Sequence, residues 1–229
     1  DVGVALQHRR VDGAALAAVH FLGFRDSGMP GTADNQHPNA FIQAPLERVA
    51  GQLAALIRAL RPQVVLTFNS YGGYGHPDHI HIHYATRAAF AAAGDPRRYP
   101  EQIAAGLEPW QPQKLYYPTF STRFVRTAVT AMRLARRDPR RFGRNNDVDM
   151  VRIIEETTPI TTTVACGGYL EANLEARACH RSQGGGVPFG GRVPRPLLRR
   201  MFGSESFTRV VPAWDGGPLE RDLFAGTIA

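Results

Sequence analysis

Apolar residues recur every third or fourth position between residues 44 and 60, the spacing that places them on one face of an α-helix. The pair Arg61 and Pro62 follows and is expected to end that helix. Directly afterwards, VVLTF at 64–68 is almost continuously apolar, as strands are when a sheet buries both of their faces. The chain therefore alternates here between helical and strand patterns.

The same alternation continues along the rest of the chain. It predicts strands at 19–24, 114–120, 160–166 and 206–212, and helices at 78–93, 122–137 and 168–183, the last ended by the glycines 184–186. We expect an insertion around 123–150, where residues 138–150 are charged and irregular. This order of elements predicts an α/β fold with a doubly wound, mostly parallel sheet flanked by helices and a C-terminal extension, in a single domain spanning 1–229.

Composition narrows the class of protein. The chain is 43% hydrophobic and 21% charged, values that are ordinary for a globular protein. We find no apolar run of about 18 residues, so we expect no membrane span, and no signal-peptide pattern. Cys166 and Cys179 cannot form a disulfide framework, and we expect them to be reduced thiols in a cytoplasmic protein.

The formal net charge is +7, and all of the 27 basic residues are arginines except Lys114. The densest basic stretch, at 133–144, has no nucleic-acid-binding motif, and aromatic residues are not interleaved in it as stacking platforms require. We expect it to be a solvated surface rather than a nucleic-acid site, which would show binding that falls steeply with salt. The sequence leaves open whether the protein forms a homo-oligomer.

Four histidines lie within eight positions, behind the glycine-rich loop that follows the strand at 64–68. Ligands of open α/β sheets bind where such strands end and lead into helices. His76 and His79 are expected to face this mouth together, His79 and His83 to share one helix face, and His81 to point to solvent.

Imidazole is both a frequent metal ligand and the usual acid or base near neutral pH. A catalytic zinc takes three protein ligands, so one or two of these histidines need donors from elsewhere in the chain. The alternative is that these histidines have no chemical role and are simply exposed or packed in the core at a helix N-terminus. The whole pattern GYGHPDHxxxH after a buried strand favours a functional site.

Five stretches of the sequence resemble one known family. YGGYGHPDH at 71–79, preceded by LRPQVVLTFN, and FLGFRDSGMPGT at 21–32 are similar to motifs of the LmbE-like, or PIG-L, de-N-acetylases. PQKLYY, ITTTVACGGYLEANLEARACHRSQ and ESFTRVVP also resemble its later segments. This family of zinc amidases includes the mycothiol-biosynthesis deacetylase and the mycothiol-conjugate amidase. The resemblance implies a Rossmann-like α/β sheet.

The resemblance also implies roles for the residues of the histidine motif. His79 matches a zinc ligand. His76 matches the histidine that, when protonated, stabilises the tetrahedral intermediate and protonates the leaving amine, and Asp78 matches the carboxylate that holds it. Tyr74 matches the tyrosine whose hydroxyl polarises the scissile carbonyl.

In the RDSGM loop, Asp26 matches a carboxylate that binds sugar or cyclitol hydroxyls, and Arg25 borders the same pocket. The implied cofactor is Zn²⁺, with Fe²⁺ as the alternative. The implied partner is a small-molecule conjugate that contains an N-acyl amino sugar.

One departure from the family pattern is large. The family's first signature, HPDD, supplies the other zinc ligands and the general base, and it does not occur in these 229 residues. Because the chain begins at Asp1, we expect that an N-terminal segment carrying the signature is missing from this sequence. The expected function is a zinc-dependent amidase that removes an N-acyl group, such as acetyl, from a glucosamine-containing conjugate. The alternative is a non-catalytic relative that binds sugars or polyols without the metal.

Overall fold

The structure is a computed structural model that describes residues 18–143, 145–179 and 193–228. The strands are β1 (Val64–Leu66), β2 (Lys114–Thr119), β3 (Thr162–Ala165) and β4 (Ser204–Val211). The helices are α1 (Leu46–Leu60), α2 (Gly72–Gly75), α3 (Pro77–Ala93), α4 (Pro100–Ala104), α5 (Arg123–Leu134), α6 (Met150–Glu156), α7 (Leu170–Cys179) and α8 (Arg195–Phe202). Short 3₁₀ turns occupy Ala33–Gln36, Phe41–Gln43 and Gly167–Tyr169.

The strands form one sheet in the order β1-β2-β4-β3, flanked by helices, which confirms the predicted α/β class. β1 and β2 are parallel, with Val64 opposite Lys114. β2 and β4 are antiparallel, with a shift in register between Leu115 and Tyr116. Because β1 and β2 run the same way, the loops that follow them emerge at the same edge of the sheet.

Most of the predicted elements are confirmed with boundaries moved by a few residues, but the strand predicted at 19–24 is wrong. The structure describes all of this segment and assigns it no strand, only an isolated bridge at Val19. Its last neighbour, Arg25, makes only an isolated parallel bridge to Ala40. Phe21 is 77% exposed, so the apolar run does not lie in a buried sheet.

Four helices were not predicted, namely α2, α4, α6 and α8, and one prediction lies partly outside the described residues. The pattern at 100–104 and 150–156 is too short to show helical periodicity, yet α4 and α6 form there. Asp149 caps α6, because its Oδ1 accepts hydrogen bonds from the N–H groups of Val151 and Arg152. The end of the helix predicted at 168–183, including His180 and the glycines 184–186, lies outside the described residues.

The chain divides into two compact units. One contains Thr163–Glu205 together with residues before Phe24, and its described core is Leu170, Leu174 and Leu198. The other contains Phe24–Thr162 and Ser206–Ala229. Every residue predicted from sequence to act in the site belongs to this second unit. In the described part of the chain, no helix combines the length and apolar character that crossing a membrane requires.

Helices α1 and α3 pack through small side chains, with Ala54, Ala89 and Ala93 fully buried beside Ile57. Between them lies the side chain of Arg58, which is only 2% exposed. Its guanidinium donates to Gln102 Oε1 and to five backbone carbonyls at 2.8–3.4 Å, those of Ala92, Ala93, Asp95, Arg98 and Tyr99. A cation is stabilised at the carboxyl end of a helix, where carbonyls lack intrahelical donors.

A second buried charge ties the C-terminal segment to the sheet. The carboxylate of Glu220 lies 2.8 Å from Lys114 Nζ and 2.7 Å from Arg209 Nη1, and accepts hydrogen bonds from the hydroxyls of Tyr116 and Thr162. Burial alone would raise the pKa of Glu220, but these hydrogen bonds outweigh it and lower the pKa from 4.5 to about 2. Burial and the neighbouring Glu220 raise the pKa of Tyr116.

We expect Arg58→Met to lower the free energy of unfolding by about 3 kcal/mol, because it leaves several buried carbonyls without donors. Urea unfolding followed by circular dichroism measures this loss. Arg61→Met is the matched control, since this exposed arginine stacks on Trp110 at 4.6 Å and contributes no more than about 1 kcal/mol. Equal losses in the two variants would contradict the anchoring role of Arg58.

We expect Glu220→Gln to lower the free energy of unfolding at pH 7 by about 3 kcal/mol, because it leaves two cations without their buried partner. A carboxylate with a depressed pKa stabilises the folded state above its unfolded pKa of 4.5, and this contribution is lost as pH falls towards 2. The difference between the unmodified protein and the variant should therefore shrink over that range in urea titrations. A constant difference, or an equal effect of the exposed control Glu101→Gln, would refute this account.

Candidate functional site

The site is built at the N-terminus of α3. His76 occupies the N-cap, Pro77 has the fixed φ that suits the first helical position, and Asp78 lies in the first turn. His76 Nδ1 accepts a hydrogen bond from the backbone N–H of Asp78 at 3.2 Å. In this arrangement Nδ1 carries no proton, so a neutral His76 has its proton on Nε2.

The glycine-rich loop lies directly against the first turn of α3. Gly72 has φ +66°, and a Cβ atom there would lie 2.7 Å from His79 Cβ and 2.9 Å from the Ile80 nitrogen. Asn69 shapes this loop, because its Oδ1 accepts from Gly73 N at 2.9 Å and its Nδ2 donates to the Glu156 carbonyl at 3.0 Å. Glycine is therefore required at residue 72 for this close approach.

The close approach fixes the state of His79. Its Nδ1 lies 3.0 Å from the Gly72 carbonyl, which selects the tautomer with the proton on Nδ1 and leaves Nε2 free. The ring stacks on Phe68 with centroids 3.9 Å apart. Burial lowers the pKa of His79, although the hydrogen bond to Gly72 opposes that effect. A neutral imidazole with a free Nε2 is the form that binds a metal.

Tyr74 stands beside both histidines. Its ring makes edge contacts with His76 at 6.0 Å and His79 at 5.2 Å between centroids. Burial raises the pKa of Tyr74, and the negative charges of Asp26, Asp147 and Asp78 raise it further. The phenol therefore stays protonated at neutral pH and can donate a hydrogen bond.

Asp26, His76 and Asp78 converge, with one potential ligand atom from each lying within 4.8 Å of the others. Asp78 Oδ2 accepts the backbone N–H of Ser27 at 2.9 Å, while its Oδ1 is buried and has no hydrogen-bond partner among the described residues. A buried, unpaired carboxylate oxygen fits a bound cation, and a set of nitrogen and oxygen donors suits zinc or ferrous iron.

Arg25 differs from the other predicted site residues in the partner of its side chain. Its guanidinium makes an exposed ion pair with Asp34, and its backbone bonds to Asn39 and Phe41 on the same loop. The adjoining Asp26 accepts a hydrogen bond from Gly28 N at 2.7 Å, which forms a tight turn at the start of the RDSGM loop.

The remaining two histidines lie along α3. The prediction that His81 points to solvent is wrong, because its ring is half-buried edge-on against Phe41 and its Nε2 is buried. His83 is buried, and its Nδ1 lies 2.7 Å from the Phe68 carbonyl. Burial lowers the pKa of both imidazoles, so each is a neutral packing residue at pH 7.

Several residues that support the site were not predicted from sequence. Ser27, Asn35 and Asn69 are buried polar residues that hold its loops, and an isolated Ser or Asn in a loop gives no pattern that marks such a role. Asp147 lies in the segment that we interpreted as an insertion, yet its charge acts on Tyr74.

We expect Gly72→Ala to displace the loop from α3 and to lower the free energy of unfolding by about 2–3 kcal/mol, through overpacking and a positive φ. The hydrogen-bonded Nδ1 proton of His79 should broaden or shift in NMR spectra. Gly106→Ala is the matched control, because Gly106 also has a positive φ but a Cβ there would meet nothing within 4 Å. The steric account fails if both variants lose the same stability and leave the His79 signal unchanged.

Comparison with known proteins identifies the family of this chain. The family model described as "PIG-L: GlcNAc-PI de-N-acetylase" matches residues 5–90, which include both the RDSGM loop and the histidine motif. Over 221 residues the chain is 34% identical to the 1D-myo-inositol 2-acetamido-2-deoxy-alpha-D-glucopyranoside deacetylase of Thermobifida fusca, covering 92% of this chain and 74% of that protein.

Proteins of the same name give similar matches. The deacetylase of Thermobispora bispora is 36% identical, with 93% of this chain and 76% of that protein covered. That of Rhodococcus jostii is 34% identical, with 92% and 70% covered. The identity and coverage extend well beyond the short motifs, and the chain therefore belongs to the PIG-L family of de-N-acetylases.

Proposed function

We propose that the protein is a metal-dependent amidase that removes the acetyl group from an N-acetylglucosamine joined to inositol. The convergence of Asp26, Tyr74, His76, Asp78 and His79 at the N-terminus of α3 is the observation that carries this proposal. The names of the relatives supply the substrate class, a 2-acetamido-2-deoxyglucopyranoside of myo-inositol.

The residues at the site fit a divalent metal. His79 offers a free Nε2 on a neutral ring, and Asp78 Oδ1 is buried without a partner among the described residues. We assign His79 as a ligand, with zinc as the metal and ferrous iron as the alternative. A metal held there would supply Lewis-acid chemistry, which serves to activate a water molecule and to polarise the amide carbonyl.

The other side chains act on the charge and protons of the reaction. The protonated phenol of Tyr74 can donate to the oxyanion that forms when the amide carbon is attacked. The neutral imidazole of His76 carries its proton on Nε2, and this proton can be donated to the oxyanion or to the leaving amine. An imidazolium at His76 has to give up the capping bond from Asp78 N, because its Nδ1 is then protonated.

We assign Asp26 to the hydroxyl groups of the sugar or cyclitol, and Arg25 to the border of the same pocket. Asp26 is exposed at the mouth, and carboxylates accept hydrogen bonds from hydroxyls. Arg25 reaches a ligand only when its ion pair with Asp34 opens or the ligand contacts both side chains.

The sharpest test separates His79 from His76 in the protein expressed from its complete reading frame. We expect His79→Ala to lose both metal, measured by plasma emission spectrometry, and deacetylation of GlcNAc-inositol. We expect His76→Ala to keep its metal while kcat falls by roughly 10²–10³, because one oxyanion donor is lost, with much smaller change in KM. His83→Asn is the control on the same helix and should keep metal.

If His76→Ala strips the metal and His79→Ala retains it, the ligand is in the Asp26, His76 and Asp78 cluster instead. If the unmodified protein binds inositol or N-acetylglucosamine but neither holds zinc nor releases acetate, the non-catalytic alternative is correct. HPDD does not occur in these 229 residues, which is why this alternative is tested directly.

A further inference from the structure

One buried amide organises the loop that faces the N-terminus of α3. The side chain of Asn35 is 8% exposed, and its Nδ2 donates to the carbonyls of Ser27 and Met29 and to Thr32 Oγ1. Its Oδ1 accepts from Gly31 N at 2.9 Å. A single carboxamide therefore satisfies backbone groups on both sides of the turn.

Ser27 connects the loop held by Asn35 to the site. Its side chain is fully buried, its Oγ accepts from Ile42 N at 3.0 Å, and its own N–H donates to Asp78 Oδ2 at 2.9 Å. Ser27 is also the immediate chain neighbour of Asp26. The carbonyl held by Asn35 and the N–H given to Asp78 are thus on one residue, next to the carboxylate that enters the cluster.

We propose that Asn35 is a positioning residue, which acts through Ser27 to set where Asp26 and Asp78 lie relative to His76. This inference rests on the proposed function, because it predicts an effect on deacetylation. Asn35 does not touch the cluster itself. Gln43 Nε2 donates to the backbone carbonyl of Asn35 at 2.8 Å, so the backbone that carries this side chain is held as well.

The alternative is that Asn35 only adds stability, and a matched deletion distinguishes the two roles. Gln102 is a half-buried side-chain amide, with Nε2 donating to the Gly51 carbonyl at 2.9 Å and Oε1 accepting from Arg58, near the carboxyl end of α3. Asn35→Ala and Gln102→Ala each remove one carboxamide that crosslinks backbone. Only Asn35→Ala should change catalysis.

We expect Asn35→Ala to lower kcat/KM for GlcNAc-inositol about 10²-fold, as misplacement of catalytic groups by about 1 Å does, and Gln102→Ala to change it less than about twofold. Asn35→Ala and Asp26→Asn together should lose far less than the product of their single effects, because the first variant already misplaces Asp26. Asn35→Asp, which keeps an acceptor for Gly31 but loses the bonds that Nδ2 donates, should resemble Asn35→Ala.

Amide hydrogen exchange supplies a readout that does not depend on activity. Asn35→Ala should speed exchange at Ser27 and Gly31 by about tenfold or more, and Gln102→Ala should leave them unchanged. If the unmodified, metal-loaded protein releases no acetate, the proposed function is wrong. Amide hydrogen exchange in Asn35→Ala still decides, in that case, whether Asn35 holds the loop. Normal kcat/KM, multiplicative double variants or unchanged exchange in Asn35→Ala would overturn the inference.

Discussion

The buried guanidinium of Arg58 is the interaction on which the position of helix α3 depends. A charge this deep in a protein is unfavourable unless it is fully hydrogen-bonded, and here carbonyls at the end of α3 and in the following loop satisfy it. The alanines between α1 and α3 let the two backbones approach closely but offer little shape to fix their register. Arg58 supplies that register, since its planar set of donors fits one arrangement of carbonyls.

With its carboxyl end fixed, α3 presents its N-terminus at the edge where the parallel pair β1 and β2 ends. Three contacts made by backbone groups meet there: the Gly72 carbonyl on His79, the Asp78 N–H on His76 and the Ser27 N–H on Asp78. Only the last of them joins segments that are distant in sequence. Backbone contacts tolerate almost no side-chain bulk between them. Glycine at residue 72 is therefore part of the site, because a Cβ atom there would lie 2.7 Å from His79 Cβ.

The helices and the central strand pair follow from local pattern, because the spacing of apolar residues decides which face each element buries. The strand predicted at 19–24 failed since a ladder depends on a neighbour, which no local pattern specifies. His76, Asp78 and His79 could be assigned to one helix N-terminus from the sequence HPDH alone. That Asp26 lies beside them was implied only by resemblance to a family, as 52 residues separate Asp26 from Asp78.

The supporting residues were harder to predict, for a physical reason. Asn35, Ser27 and Asn69 bond mainly to backbone, so their partners have no identity that a sequence could reveal. The same holds for His81, where apolar contact with Phe41 across the loop replaced the expected exposure.

The ion pair of Lys114 with Glu220 has a consequence for chemical labelling. Lys114 is the only lysine in these 229 residues, and its side chain is 7% exposed. An amine-reactive reagent therefore meets no accessible lysine while the C-terminal segment stays on the sheet. Acylation of Lys114 has to wait until Glu220 and the chain around it detach. The rate of that single modification reports how often this edge of the molecule opens.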